Sequence, residues 1–117
     1  MAQTVLIVDD HPSFRSTARI LLESEGFDVI GEAEDGASAI EAIQRLAPEV
    51  VLLDVQLPAM DGCAVARTIM ADGVKSAIVL TSSRDGCDFG SLIAESGARG
   101  FVPKGELSGA AISELLR

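Results

Sequence analysis

The sequence contains no Trp, no Tyr, a single His and only two Cys, so several common kinds of functional site are disfavoured. Cys63 and Cys87 fit no metal-binding or redox spacing and are interpreted as reduced packing residues. No apolar run approaches the ~20 residues that cross a membrane, so no membrane association is expected. The first residues show no secretory-signal pattern. These absences favour a cytoplasmic protein.

Positive charge is also scarce, with 9 Lys and Arg against 18 Asp and Glu and a net charge of −9. Such a surface repels phosphates, so this chain alone is a poor candidate for nucleic-acid binding. An excess of acids suits a cation site, although most surface acids only keep a protein soluble. The 117 residues, 48% of them hydrophobic, fit one domain over residues 1–117.

Strand-like and helix-like segments alternate along the chain, which predicts an α/β fold. Five βα units in one domain imply right-handed crossovers and a doubly wound parallel sheet. Continuous apolar runs place the first, third and fourth strands centrally, which gives the strand order 2-1-3-4-5. The predicted strands are 4–8, 27–33, 50–54, 77–81 and 100–102, and the predicted helices are 12–25, 36–46, 62–72, 87–96 and 106–116.

Polar residues follow the strands at the end where ligands bind in such sheets, namely the carboxyl ends near the reversal of strand order. Asp9 and Asp10 follow the first strand, and Asp54 ends the most apolar one. Thr81 ends the fourth strand and Lys104 follows the fifth. We therefore expect three acids, a hydroxyl and a lysine along one rim.

Three neighbouring carboxylates cannot all stay charged without a cation. Oxygen ligands favour Mg²⁺, which takes octahedral geometry and keeps several waters. Asp10 and Asp54 are expected to bind it directly, Asp9 through a water, and Gln56 through its backbone carbonyl.

A hydroxyl and an ammonium beside a metal form a site for a phosphoryl group. Thr81 is expected to donate to one phosphoryl oxygen and Lys104 to neutralise another. Asp54 is then the nucleophile, and the product is an acyl phosphate.

Four motifs in order, "VDDH", "LLDVQLPAMDG", "VLTSS" and "GFVPK", resemble those of the receiver domain of bacterial two-component response regulators over essentially the whole chain. "GEAEDG" and "GARGF" resemble the NarL/FixJ-like subfamily, whose members often carry a C-terminal helix-turn-helix. The resemblance implies a flavodoxin-like (βα)5 fold. It also implies a phosphoacceptor with self-catalysed phosphotransfer and slow autodephosphorylation rather than a conventional enzyme.

The resemblance assigns roles to individual residues. Asp54 is the acceptor for a sensor histidine kinase or a histidine phosphotransfer protein, with Mg²⁺ as cofactor and Mn²⁺ or Ca²⁺ as substitutes. Asp9 and Asp10 correspond to the acidic pair, Thr81 to the switch hydroxyl, Phe101 to the switch aromatic and Lys104 to the family lysine.

Phosphorylation is expected to switch the surface formed by the predicted fourth helix, fifth strand and fifth helix. The expected consequences are a homodimer or a downstream output, such as transcription through a helix-turn-helix absent from this chain. The chain is either a stand-alone receiver or a piece of a longer regulator.

Two positions depart from the family pattern. Gly105 stands where proline usually follows the lysine, so we expect a trans bond or a differently shaped loop after Lys104. Phe101 lacks the hydroxyl of the more common Tyr, so its coupling to Thr81 must work through packing. His11, beside the acidic pair, is expected to have a structural or solvent-facing role.

Two other functions use a similar topology. A phosphatase of the haloacid dehalogenase type needs a second acid two residues after its nucleophile, where this chain has Gln56. A flavin-binding module needs a hydroxyl- and glycine-rich first loop and stacking aromatics, whereas the first loop here is "DDHPSF". Both alternatives are weaker than the phosphorylation switch.

Overall fold

The fold is a five-stranded parallel sheet with helices on both faces. The computed structural model describes residues 3–57, 62–82 and 97–116, without the side chain of Cys63. The sheet order is β2-β1-β3-β4-β5, which confirms the predicted order and the predicted edge strands. The strands are β1 (Thr4–Val8), β2 (Asp28–Ala33), β3 (Val50–Asp54), β4 (Ala77–Ser82) and β5 (Gly100–Pro103).

The described helices begin and end close to their predicted limits, with one exception. They are α1 (Pro12–Ser24), α2 (Gly36–Leu46), α3 (Gly62–Ala71) and a C-terminal helix (Gly109–Leu116). The C-terminal helix was predicted from residue 106, and this start is wrong because Lys104–Glu106 forms a 3-10 helix instead. Ser108 then caps the helix, its Oγ accepting the Ala111 N–H at 3.0 Å. The predicted helix 87–96 lies outside the described residues.

Two apolar clusters cover the two faces of the sheet, because successive residues of the central strands point to opposite sides. Leu6, Val51 and Leu53 pack beneath α2 and α3, whereas Val5 and Leu52 pack beneath α1 and the C-terminal helix. All five residues of β3 are buried, as its continuous apolar run indicates. The sheet therefore holds the end of β3 rigidly.

Helix α2 shows where the apolar pattern misleads. Its start is fixed by a reciprocal pair of hydrogen bonds between Asp35 and Ser38, and its end by Ala47 in the left-handed region at φ 47°. Ala47 is exposed, although its spacing from Ile40 and Ile43 favours a place on the buried stripe of the helix. Ala39 and Ala42 are buried instead. Ala47 itself has left-handed backbone angles and so leaves the helical repeat, which cannot anticipate that turn.

Two smaller points complete the fold. Met70 is 41% exposed, although its spacing from Val65, Ala66 and Ile69 favours a place on the apolar face of α3. Within the residues that the structure describes, no helix combines the length and apolarity needed to cross a membrane.

Candidate functional site

The acidic residues predicted at the strand ends lie together. Asp9 and Asp54 are buried, at 0% and 2% exposure, and Asp10 is partly buried. Asp9, Asp10, His11 and Asp54 each offer one ligand atom, and these atoms lie within 4.8 Å of one another. The described structure thus brings the three predicted acids into one cluster and adds His11.

Asp54 ends β3 directly opposite Thr81 of β4. Its Oδ1 accepts the Gln56 N–H at 3.0 Å, so the turn after the strand fixes the carboxylate. Burial raises the pKa of Asp54 above its ordinary value, and the Asp9 carboxylate adds to the rise against the opposing effects of Gln56 and Lys104. The protein surroundings of this carboxyl group therefore disfavour its charged form.

A glycine brings α3 close to the end of β3. A Cβ on Gly62 would lie 2.2 Å from the Asp54 carbonyl oxygen and 2.7 Å from the Val55 Cα, and both distances are too short for real atoms. The Gly62 N–H also donates to the Val55 carbonyl at 2.7 Å. Only glycine fits this approach, which explains the glycine at position 62.

Lys104 reaches the acids although glycine follows it. Its Nζ lies 2.6 Å from Asp9 Oδ2 and 3.4 Å from Asp54 Oδ2. The described peptide bonds include no cis bond, so the expected trans bond before Gly105 is confirmed. Burial of the ammonium disfavours its charge, but the contacts with Asp9 and Asp54 outweigh that effect and raise the pKa of Lys104. Lys104 is therefore charged over the whole neutral range.

His11 contacts the acids more closely than the sequence suggested. Its Nδ1 lies 3.0 Å from Asp9 Oδ1 and 3.1 Å from Asp10 Oδ1, and its N–H donates to Asp9 Oδ1 at 2.8 Å. Its ring is 64% exposed, so the solvent-facing part of the expectation is correct. The sequence signal was its place directly after two acids, where a tight turn returns the side chain to them.

The cluster has the donor set of a hard-cation site. Two buried oxygens, Asp9 Oδ2 and Asp10 Oδ1, accept no hydrogen bond from any residue that the structure describes. Their nearest charged or polar neighbours are the Lys104 ammonium, 2.6 Å from Asp9 Oδ2, and His11 Nδ1, 3.1 Å from Asp10 Oδ1. Buried carboxylate oxygens without hydrogen bonds are costly, and a divalent cation with oxygen preference would satisfy them. The residues therefore fit a bound metal ion.

The predicted switch residues lie on β4 and β5. The buried Thr81 hydroxyl donates to the Val102 carbonyl at 2.6 Å, so it is held against β5. Phe101 precedes Val102 on β5 and lies opposite Leu80 of β4. It is partly buried and packs against the apolar cluster beneath α2 and α3. Thr81 therefore lies beside Asp54, and Phe101 lies on the strand next to that of Thr81.

Arg15 holds the backbone of Asp9 in place through a hydrogen bond. Its Nη1 donates to the Asp9 carbonyl at 2.5 Å and its Nε to Glu32 Oε1 at 3.1 Å. Arg19 donates to the second Glu32 oxygen at 2.8 Å. No sequence motif predicts this network, because it depends on how α1 lies across β2.

The network predicts a pH dependence of stability. Hydrogen bonds from Arg19, assisted by Arg15, lower the pKa of Glu32. A carboxyl group with a lowered pKa stabilises the folded protein at pH values above its ordinary pKa. That stabilisation is lost as the pH falls through the lowered pKa. We expect Glu32→Gln to reduce the unfolding free energy by up to about 1 kcal/mol at pH 7.

Urea denaturation over a pH series measures this difference, which should vanish in acid below the lowered pKa of Glu32. Glu41→Gln, on the exposed face of α2, is the matched control and should change little. A loss in Glu32→Gln that persists undiminished in acid would contradict the ionic origin.

Comparison with known proteins places the chain in a family. Residues 5–115 match the model of the response regulator receiver domain. The chain belongs to the response regulator receiver family.

Curated relatives are transcriptional regulators from bacteria. The chain is 43% identical over 106 residues to the DNA-binding response regulator MtrA of Mycolicibacterium smegmatis, a match covering 89% of this chain and 45% of MtrA. It is 32% identical over 101 residues to the DNA-binding transcriptional activator EvgA of Escherichia coli K12, covering 86% of this chain and 50% of EvgA. The chain thus spans about half the length of the curated relatives it matches.

Solved structures agree with this assignment. The signal receiver domain of NarL from Mycobacterium tuberculosis superimposes with a TM-score of 0.86 at 34% identity, covering 98% of this chain and 97% of that one. The BeF3-activated N-terminal receiver domain of RstA from Klebsiella pneumoniae gives a TM-score of 0.84 at 29% identity, covering 97% and 95%. The receiver fold and its NarL-like character, expected from the motifs, are confirmed.

Proposed function

We propose that this receiver domain accepts a phosphoryl group on Asp54 and that the modification switches an output surface. One observation carries the proposal: a buried carboxylate at an open strand end has the Lys104 ammonium 3.4 Å from its Oδ2 and two further acids beside it. A carboxylate in such surroundings serves as a nucleophile once cations balance the local charge.

The transfer balances without a redox partner. An Asp54 oxygen forms a bond to phosphorus, and the bond between phosphorus and the donor breaks. The donor's electron pair leaves with the imidazole nitrogen of a phosphohistidine or with the acetate of acetyl phosphate. The product is an acyl phosphate on Asp54, and a sensor histidine kinase or a histidine phosphotransfer protein is the expected donor.

Different residues of the site bind the cation and neutralise the phosphoryl group. Mg²⁺ supplies charge neutralisation when bound, and Asp10, Asp54 and the Gln56 carbonyl would hold it, with Asp9 acting through a water. Lys104 neutralises a phosphoryl oxygen as a point charge. Since the transition state is loose, this positioning and neutralisation account for most of the acceleration. Slow self-catalysed hydrolysis then returns Asp54 to its carboxylate.

The switch begins at Thr81. Its hydroxyl now donates to Val102, and we infer that it turns to a phosphoryl oxygen of modified Asp54. That exchange releases one side of β5 and allows Phe101 to change its packing, so the surface including β5 and the C-terminal helix changes partners. Because the curated relatives are DNA-binding regulators about twice as long, we propose transcription as the output, with phosphorylation-dependent homodimerisation.

The experiment that tests the proposal uses the protein with Mg²⁺ and acetyl phosphate. We expect intact mass spectrometry to show a gain of one phosphoryl group that requires Mg²⁺ and disappears on treatment with hydroxylamine, which cleaves acyl phosphates. A protein that gains no mass, or gains it equally in EDTA, would defeat the proposal.

Asp10 offers a separate test of the metal site. We expect Asp10→Asn to weaken Mg²⁺ binding by about 100-fold, because the charge of the ligand set determines cation affinity. Isothermal titration calorimetry measures the affinity, and Asp28→Asn, exposed at the start of β2, is the matched control. An Asp10→Asn protein that binds Mg²⁺ within threefold of the unmodified one would remove Asp10 from the ligand set.

A further inference from the structure

The backbone around Lys104 does little to hold its side chain. Lys104 begins a 3-10 helix of three residues, and a Cβ added to the following Gly105 would meet nothing within 4 Å. No packing on that side restrains the chain. The ammonium nevertheless lies in a defined place, with the side chain only 15% exposed. Contacts of the side chain itself must therefore fix it.

One of those contacts is aromatic. Lys104 Nζ lies 4.4 Å from the centroid of the Phe14 ring, well within the ~6 Å at which a cation is attracted to an aromatic face. The ring bounds the ammonium on one side, and the carboxylates of Asp9 and Asp54 approach within 2.6 and 3.4 Å. Phe14 itself is partly buried and packs against the apolar cluster beneath α1, so its position is fixed.

The ionic and aromatic contacts of Lys104 respond differently when a cation binds and Asp54 is phosphorylated. Asp9 and Asp54 are the groups that a divalent cation would share, and Asp54 loses a charged oxygen when it becomes an acyl phosphate. The contacts of the ammonium with these two carboxylates therefore weaken as the site works, and the phosphoryl oxygen that replaces them arrives only with the donor. The attraction to the ring depends on neither carboxylate, so it persists.

We propose that Phe14 is a positioning residue, whose ring keeps the Lys104 ammonium aimed at the acidic site while its carboxylate partners are engaged elsewhere. The inference rests on the proposed function in that Lys104 acts on the phosphoryl group. It goes beyond that function because it assigns a role in the site to a residue of α1, which lies outside the motifs at the strand ends.

Two measurements test the proposal. Beryllofluoride with Mg²⁺ imitates the phosphoryl group, and we expect Phe14→Leu to weaken its binding about fivefold, within the range of a partly buried cation–π contact. Binding of Mg²⁺ alone should be unchanged. In addition, the ring current should shift the Lys104 Cε protons upfield in NMR spectra, and this shift should be lost in Phe14→Leu and kept in Phe14→Tyr.

Phe27→Leu is the matched control, since Phe27 is buried in the same cluster beneath α1 and lines no part of the acidic site. The proposal is overturned if the upfield shift is absent from the unmodified protein, or if Phe27→Leu weakens beryllofluoride as much as Phe14→Leu. An unmodified protein that binds no beryllofluoride would contradict the proposed function instead. The Lys104 proton shift would then still support or overturn the Phe14 contact.

Discussion

Asp54→Asn is expected to abolish the phosphoryl mass gain completely and, without Mg²⁺, to make the protein more stable. The amide lacks the nucleophilic charge, so no acyl phosphate forms. Its Oδ1 can still accept the Gln56 N–H, which Asp54 accepts at 3.0 Å. The substitution therefore removes a buried charge while keeping the hydrogen bond that fixes the turn. Loss of function and gain of stability should appear together.

The gain in stability depends on pH with a definite sign. Burial, helped by the Asp9 carboxylate, raises the pKa of Asp54 in the folded protein. Such a group favours folding below its ordinary pKa and loses that contribution as the pH rises through the raised value. The advantage of Asp54→Asn should be absent in strong acid and full at neutral pH, where we expect about 1–2 kcal/mol. For a domain of this size that is a rise in Tm of about 4 °C for each kcal/mol.

Thermal unfolding with and without Mg²⁺ distinguishes the removal of the Asp54 charge from a change in side-chain packing as the cause of the higher stability. A cation that binds the folded state stabilises it in proportion to its affinity, so Mg²⁺ should raise the Tm of the unmodified protein more than that of Asp54→Asn. Asp72→Asn, exposed after α3, is the control and should keep the mass gain. A less stable Asp54→Asn protein at pH 7 without Mg²⁺ would contradict the charge argument, and a persisting mass gain would place the acceptor elsewhere.

The sheet and the acidic rim could be predicted because both depend on local patterns. The run Val50–Asp54 is apolar without interruption, and such runs are typical of central strands in parallel sheets. Once the strand order is known, the carboxyl ends of β1 and β3 must be neighbours. Asp9, Asp10 and Asp54 then come together whatever the details of the helices.

The remaining parts of the site depend on side-chain direction, which the patterns do not encode. Phe14 and Arg15 are consecutive on α1, yet one meets Lys104 and the other binds the Asp9 carbonyl and Glu32. Which of them faces the acids is decided by the rotation of α1 on the sheet. The late start of the C-terminal helix has a similar cause, because Glu106 fits a first helical turn equally well in a 3-10 helix.

Lys104→Met is expected to have two effects of opposite sign: slower phosphorylation and tighter binding of Mg²⁺. The ammonium lies 2.6 Å from Asp9 Oδ2 and 3.4 Å from Asp54 Oδ2. These are carboxylates that we propose to hold or orient the cation, so ammonium and Mg²⁺ compete for them. Removing one positive charge at this range should raise Mg²⁺ affinity by about tenfold.

The rate of phosphorylation should move the other way. The ammonium is the charged donor that the site offers to a phosphoryl oxygen, and loss of one such donor typically costs about 10²–10³ in rate. Met is the suitable replacement because it keeps the length of the side chain and a favourable contact with the Phe14 ring. A loss of packing therefore does not account for a slower reaction.

Calorimetry with Mg²⁺ and the time course of the phosphoryl mass gain from acetyl phosphate measure the two effects on the same sample. Lys75→Met, exposed before β4, removes the same charge far from the acids and should alter neither. If Lys104→Met bound Mg²⁺ more weakly than the unmodified protein, the ammonium would not be a competitor of the cation. If Lys104→Met were phosphorylated as fast as the unmodified protein, Lys104 would have no role in the transfer. Its role would then be that of a counter-charge that stabilises the buried carboxylates of Asp9 and Asp54 when no cation is bound.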